Sequence, residues 1–480
     1  MSSVITADRV PAITRGLLSL AVAALLATPL AAGAGSTTVP RVKQDPPSTP
    51  PAANFPDKTG QWANFPAAPP SQTGPFFAAL GANGRTCATC HAPNDAWTAT
   101  PGALQKRFAA TNGADAIFLG LDGTNCPTLP TATVSQHQAA SSLLLTSGLI
   151  RVELTPPASA DFTVASVSNP YGCGSTTAVS VYRRILATTN LSFLSTVMWD
   201  GRETAAGSTV YADLIRQATD AVKNHAAATQ SELAAAASSI TASVGFELGQ
   251  YTAQQVDTAA GSLTAPAPGG LVAATGGAAN VAQQPFTAGE NSASLAPTVF
   301  TVFKPWESIA VTASSPAAVR AQASIGRGES LFNSMPFTIT NVAGLNDVPG
   351  PNGASRKTLV GTCGTCHNSS NAGSHSSVLL VDEGQAHRAV AGLPSITLVS
   401  KTTKATVTVT DPGAALATGK FADIGKFKVP TLRGLAARAP YFHDGSAHSL
   451  DDVVNFYNTR FNLNLSATQH ADLVAFLSAL

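Results

Sequence analysis

The chain has 480 residues, of which 44% are hydrophobic and 11% charged, with a formal net charge of +1. So even a balance gives no sign of nucleic acid or an anionic membrane as a partner. It leaves apolar material for at least two cores, while 39 glycines and 32 prolines predict long ordered loops.

In chain order, Arg9 and Arg15 precede an apolar run over residues 16–30, and Ala32, Gly33 and Ala34 provide a small-x-small cleavage pattern. This predicts a secretory signal peptide over residues 1–34, with an uncleaved anchor as the alternative. The run is short for a bilayer and Pro29 interrupts it, and no later stretch is apolar enough to span one. Residues 35–73, rich in Pro, Ala, Thr and Ser, read as a linker. Phe76, Phe77 and Leu80 mark a short amphipathic helix leading to Cys87. Residues 150–154 and 162–167 alternate apolar and polar around Pro156 and Pro157, which predicts a small β-hairpin. The Ala-rich stretch 211–248 predicts one or two helices. Residues 259–289, rich in Gly, Ala and Pro, predict a surface excursion. A capped helix start lies near Ser315, a strand over 405–410, and a terminal helix over 465–480 with Leu473, Val474, Phe476, Leu477 and Leu480 on one face.

Two pentapeptides carry the chemistry: Cys87-Ala88-Thr89-Cys90-His91 and Cys363-Gly364-Thr365-Cys366-His367. Cysteines three apart lie on one side of a turn, where each thiol can add to one haem vinyl group and the next histidine can bind the iron. Chance would give on the order of 0.001 such pentapeptides in a chain of this composition. A thioredoxin-like pair would follow a strand in a βαβ unit, and zinc would gather both cysteine pairs on one ion. Each pair here has its own histidine, so two covalently bound c-type haems are the reading. Covalent haem is attached outside the bacterial inner membrane, which agrees with export to the periplasm. The remaining cysteines, Cys126 and Cys173, predict a disulfide in that compartment, with two unrelated buried thiols as the alternative. Helix, haem, loops and a closing helix occur twice. The fold expected is mainly α, with two cytochrome-c-like domains over 74–314 and 315–480, long loops and small β-hairpin insertions.

Each iron needs a sixth ligand or an open position. The only methionines are Met1, Met198 and Met335, so none follows His367. Candidates after it are His375, His387, His443 and Tyr457, then His448 and His470; for the first haem they are His137 and His225.

Residues 427–433 (Phe-Lys-Val-Pro-Thr-Leu-Arg), 439–445 (Ala-Pro-Tyr-Phe-His-Asp-Gly) and 450–454 (Leu-Asp-Asp-Val-Val) resemble the C-terminal signature of bacterial dihaem cytochrome c peroxidases. The segment Val197-Met198-Trp199-Asp200-Gly201-Arg202 is similar to that family's W-D-G-R stretch between the haems. Residues 115–190 and 255–300 have no recognised counterpart. The resemblance implies that Trp199 relays electrons between the haems. It implies a calcium ion held there by the carbonyls of Arg438 and Pro440. It also implies that Gln217, with His225 or Asp220, forms the distal pocket of the first haem. Tyr457 falls where the peroxidases have a Met ligand, and a tyrosine there resembles the MauG-like branch, which oxidises protein or other substrates. A phenolate ligand favours ferric iron and lowers the potential. No histidine lies between His91 and Gln136, so the first haem is expected to be open, with His225 as acid–base. The function implied is a periplasmic dihaem oxidoreductase acting on hydrogen peroxide, supplied by an electron donor or acting on a protein substrate. The alternatives are a non-catalytic electron-transfer cytochrome and a dihaem oxygenase acting on an organic substrate.

Overall fold

The computed structural model describes residues 54–65, 73–263, 298–349, 353 and 356–480, all within the unit Val42–Leu480. The signal segment, most of the linker and most of the 259–289 excursion lie outside the described residues.

The mainly-α expectation is overturned. Of the described residues 36% are helical and 17% strand, and several sheets accompany ten α-helices among them. The helices are α1 (Cys87–Cys90), α2 (Pro101–Thr111), α3 (Val134–Ala140), α4 (Ser142–Ser147), α5 (Val210–Asn224) and α6 (Gln230–Leu248). They continue with α7 (Ala317–Ser334), α8 (Ala415–Thr418), α9 (Leu450–Arg460) and α10 (Ala467–Ser478). Starts follow local chemistry. Reciprocal capping boxes open α6 (Thr229 with Glu232), α9 (Ser449 with Asp452) and α10 (Ser466 with Gln469). The segment around Phe76 and Phe77 forms only a 3₁₀ turn, Pro75–Phe77, whose aromatic rings pack on Trp97 and Phe246.

The strands were harder to read because most are short and their partners are distant. Within the expected linker, β1 (Asn54–Pro56) and β2 (Gly60–Phe65) form a hairpin, and β2 pairs with β6 (Tyr251–Asp257) and β6 in turn with β7 (Gly261–Ser262). The stretches read as one hairpin are two strands that do not pair: β3 (Leu149–Leu154) pairs with β5 (Val179–Arg184), while β4 (Phe162–Ser168) pairs with β11 (Ser395–Ser400). The alternation marked both strands correctly, but strand period says nothing about the partner. Beside β11 lies β12 (Thr406–Val409), so a three-stranded sheet joins chain segments more than two hundred residues apart. Two small ribbons complete the set, β8 (Phe337–Thr340) with β9 (Thr358–Gly361) and β10 (Leu380–Val381) with β13 (Phe427–Lys428). Cys126 and Cys173 are joined by a disulfide, with Cα atoms 5.7 Å apart.

Behind the second pentapeptide, α7 crosses α10. Gly328 permits the approach, since a Cβ there would meet the Asp472 carbonyl oxygen at 2.0 Å. Arg327 and Ser324 bind the Asp472 carboxylate across the crossing at 2.8 and 2.6 Å. Phe300, Phe303, Trp306, Phe332 and Phe476 fill the core beneath. Glu329 is buried in this region, accepting from the Phe303 N–H at 2.8 Å. Burial drives its carboxyl up to about 7, against the pull of that N–H. A folded-state pKa above the unfolded value gives stability that is full below about pH 4.5 and lost as pH rises through 7. Glu329→Gln should therefore flatten the stability profile between pH 5 and 8, where the wild type loses on the order of 3 kcal/mol. Denaturant midpoints of both proteins at the two pH values check this, and parallel profiles would refute it.

Candidate functional site

Both pentapeptides sit in the same extended sequence, Thr-Cys-x-Thr-Cys-His, and the added threonine fixes the turn. Thr86 and Thr89 cap each other's backbone N–H around α1, and Thr362 and Thr365 do the same around a 3₁₀ turn, Cys363–Thr365. The histidine N–H then closes the turn onto the first cysteine, His91 to Cys87 at 3.0 Å and His367 to Cys363 at 3.1 Å. Each motif thus presents two thiols and an imidazole to one cavity wall.

There are two such cavities, both lined mainly by apolar side chains. Cys87, Cys90 and His91 line one with Gln217 and His225; Cys363, Cys366 and His367 line the other with Tyr457 and His443. Arg184, Leu186, Ala187, Trp199 and Lys428 belong to both walls. Trp199 is held by its indole N–H, which donates to the Arg184 carbonyl at 2.8 Å. The turn that follows is fixed by Asp200, buried and paired with Arg183 at 2.5 Å and Arg202 at 3.0 Å. Burial alone would raise the Asp200 carboxyl, but those two guanidinium groups hold it below the ordinary range. Arg183 also binds Asp411 at 2.7 Å, which ties the W-D-G-R stretch to the segment before α8.

The fit to haem can be tested on the donors. Among the described residues no three His, Cys, Asp or Glu side chains converge on a metal cage, so the motifs do not form a zinc knuckle. Burial pushes the Cys87 and Cys363 thiols up to about 12, opposite to the depressed thiol of a redox pair. Burial holds both histidines down at about 4, leaving them neutral. His91 Nδ1 donates to the Trp97 carbonyl at 3.2 Å and His367 Nδ1 to the Gly373 carbonyl. That arrangement orients the ring and reserves Nε2 for an iron. The donor set fits two c-type haems, one per cavity.

The distal candidates separate cleanly. On α5 the residues Leu214, Gln217, Ala221 and His225 recur at helical spacing along one face, over the first cavity. His225 caps the end of α5, and its Nδ1 lies 2.5 Å from Asp122 Oδ2. Arg85 binds the other Asp122 oxygen at 2.6 Å. Burial would raise Asp122, but the His225 hydrogen bond and the Arg85 charge hold it low. Asp220 is exposed and is not on the cavity wall. His137 contacts Phe108 and Phe118, with Nε2 against the Phe118 carbonyl at 2.9 Å, and does not line the cavity.

In the second cavity Tyr457 projects from α9 between Phe442 and Phe461. Its hydroxyl has no hydrogen-bond partner among the described residues. Burial first, then Glu383 and the motif cysteines, keep the phenol far above its ordinary value, so only an added positive charge would make it a phenolate. His443 is stacked on Phe427 at 3.8 Å, and its Nε2 is buried without a partner. His375 is bonded to Ser377, His387 pairs with Asp382, His448 is exposed and His470 sits by Asn455; none of these four is on the wall. The implied calcium fits poorly, because the Arg438 carbonyl already accepts from the guanidinium of Arg184 at 3.2 Å.

Several residues on or beside the cavity walls escaped sequence reasoning. Asp122, Arg184 and Lys428 carry no local signal, because their neighbours come from distant segments. Glu247 could have been found: Ile240, Val244 and Glu247 recur at helical spacing on the buried face of α6. Burial raises its carboxyl to about 8.

A cytochrome-c peroxidase (IdrP2) of Denitromonas iodatirespirans is 34% identical over 143 residues, 25% of this chain and 36% of that protein. The cytochrome c551 peroxidase of Nitrosomonas europaea is 41% identical over 64 residues, 13% of this chain and 19% of that protein. The chain is similar to bacterial cytochrome c peroxidases. A second Denitromonas cytochrome-c peroxidase (IdrP1) matches at 41% over 69 residues, 18% of its length. The matched stretch therefore spans about a third or less of these cytochrome c peroxidases. No family model matches the chain. Among the described residues, no helix of this peroxidase-like chain is long and apolar enough to cross a membrane.

Proposed function

We propose that the chain is a periplasmic dihaem c-type oxidoreductase that reduces hydrogen peroxide, or uses it to oxidise a substrate, at the N-terminal cavity. The observation that carries this reading is the pair of separate cavities, each with its own Cys-x-x-Cys-His wall, sharing Trp199. When bound, a c-type haem supplies the iron at which the peroxide O–O bond breaks, with two electrons and two protons yielding two waters. His91 and His367 would hold the two irons, their Nδ1 atoms being engaged by backbone carbonyls. His225, oriented by Asp122, takes the proton from one peroxide oxygen and returns it to the departing one, while Gln217 positions the substrate. Trp199 and the shared wall provide a short path from the C-terminal cavity. Tyr457, on the wall of the same cavity as His367, would hold the second iron as a phenolate, which supports the substrate-oxidising variant. A protein electron donor or protein substrate completes the cycle.

Intact mass of protein from an exporting host tests the cofactor count, and the ferric spectrum with and without peroxide tests the activity. The expected result is two covalent haems, no alkylatable thiol, a high-spin component and a rapid peroxide-dependent change. One haem would refute the dihaem assignment. Two low-spin haems that ignore peroxide would identify an electron carrier instead.

A further inference from the structure

Arg184 closes β5 and is buried, at 5% exposure, yet no carboxylate lies within ion-pair distance of it among the described residues. Its guanidinium is instead held by backbone oxygens. Nη1 donates to the carbonyls of Ala99, Ser147 and Gly148 at 2.9, 3.1 and 3.1 Å, and Nη2 to that of Arg438 at 3.2 Å. Four converging carbonyls form the kind of oxygen shell that hard cations take. The notch is cut for the side chain, because a Cβ on Gly148 would come within 1.6 Å of Nη1, and Gly148 also has a φ of +61°. The backbone of Arg184 fixes the path between the cavities: its N–H donates to the His443 carbonyl at 2.7 Å and its carbonyl accepts from Trp199. The carboxylate whose charge acts on it is Asp95, whose oxygens are engaged by the Thr100 N–H and hydroxyl at 2.6 and 2.5 Å.

We propose that the Arg184 guanidinium is the resident cation between the two cavities, so that this chain neither needs nor binds calcium at the Arg438 carbonyl. A divalent ion placed there would meet a fixed positive charge and would have to displace it from its carbonyls, with no carboxylate within ion-pair distance of Arg184 among the described residues to offset the repulsion. The buried charge also acts on both haem sites, since Arg184 lies on both walls. It favours the reduced, less positive state of each. That second effect rests on the dihaem reading above; the calcium statement does not.

The test begins with the wild-type holoprotein, dialysed against 1 mM calcium chloride and then measured for bound metal, Tm and both haem potentials, with excess EGTA as control. The expected result is no stoichiometric calcium and no change in Tm or potential. One tightly held calcium whose removal lowers Tm or shifts a potential would overturn the proposal, whatever the haem count. Arg184→Gln should lower Tm by several degrees and move both potentials in the negative direction. Arg184→Lys, which keeps the charge, should keep the potentials near wild type. A loss of stability with unchanged potentials in Arg184→Gln would overturn the electrostatic role. If that variant does not accumulate, the wild-type calcium measurements still decide the first claim, and Arg184→Met, which removes the charge but keeps an unbranched side chain, decides the second by the same potentials.

Discussion

Replacing His225 by Ala is expected to slow the reaction of the ferric protein with hydrogen peroxide by about 10²–10⁴-fold, the usual contribution of a positioned acid–base group. The physical case rests on orientation. His225 Nδ1 is engaged by Asp122, and Asp122 is itself fixed by Arg85, so the ring presents Nε2 to the cavity that His91 also lines. A proton can then move between the peroxide oxygens without a separate proton source. Asp122→Asn keeps the histidine but weakens the preference for one tautomer, and should cost less than the alanine change. Stopped-flow mixing with peroxide, at equal haem content, checks both. An unchanged rate for His225→Ala would remove the acid–base role. Conversion of a low-spin to a high-spin spectrum in that variant would make His225 an iron ligand.

Tyr457→Phe is expected to alter the low-spin spectrum of the second haem and raise its potential by on the order of 0.1 V, a fraction of the ~0.8 V range that axial ligands command. Phenylalanine keeps the ring between Phe442 and Phe461 and removes only the oxygen, so packing is little changed. Losing an anionic ligand destabilises ferric iron and so raises the potential. The phenol, held well above its ordinary value by burial, makes ligation dependent on the iron's own charge. Redox titration monitored by absorbance measures the shift. If spectrum and potential stay as in the wild type, His443 becomes the next candidate, since it is on the same wall with Nε2 unpartnered.

Sequence reasoning reached the groups whose chemistry is local. A Cys-x-x-Cys-His turn needs only a few consecutive residues, and the capping threonines build that turn twice without tertiary help. Likewise the helices of 210–248 and 467–478 follow from capping and spacing within single segments. The W-D-G-R stretch was legible only through family resemblance, and that resemblance singled Tyr457 out of the six ligand candidates, because neither residue type signals its role by itself.

What the tertiary structure decided is what distant segments do to one another. Strand alternation marked β3 and β4, but long-range pairing gave them β5 and β11 as partners, and the mainly-α expectation failed for the same reason. Among six ligand candidates after His367, only Tyr457 and His443 reach the cavity wall, a choice made by packing and not by order in the chain. Asp122 becomes the partner of His225, and Arg184 of four carbonyls, by folding alone. The sequence by itself determined which atoms can bind and attach haem, since that chemistry lies in one turn of chain. Only the fold determined which charges surround it, because burial and Coulomb interaction depend on distance in space and are blind to distance along the sequence.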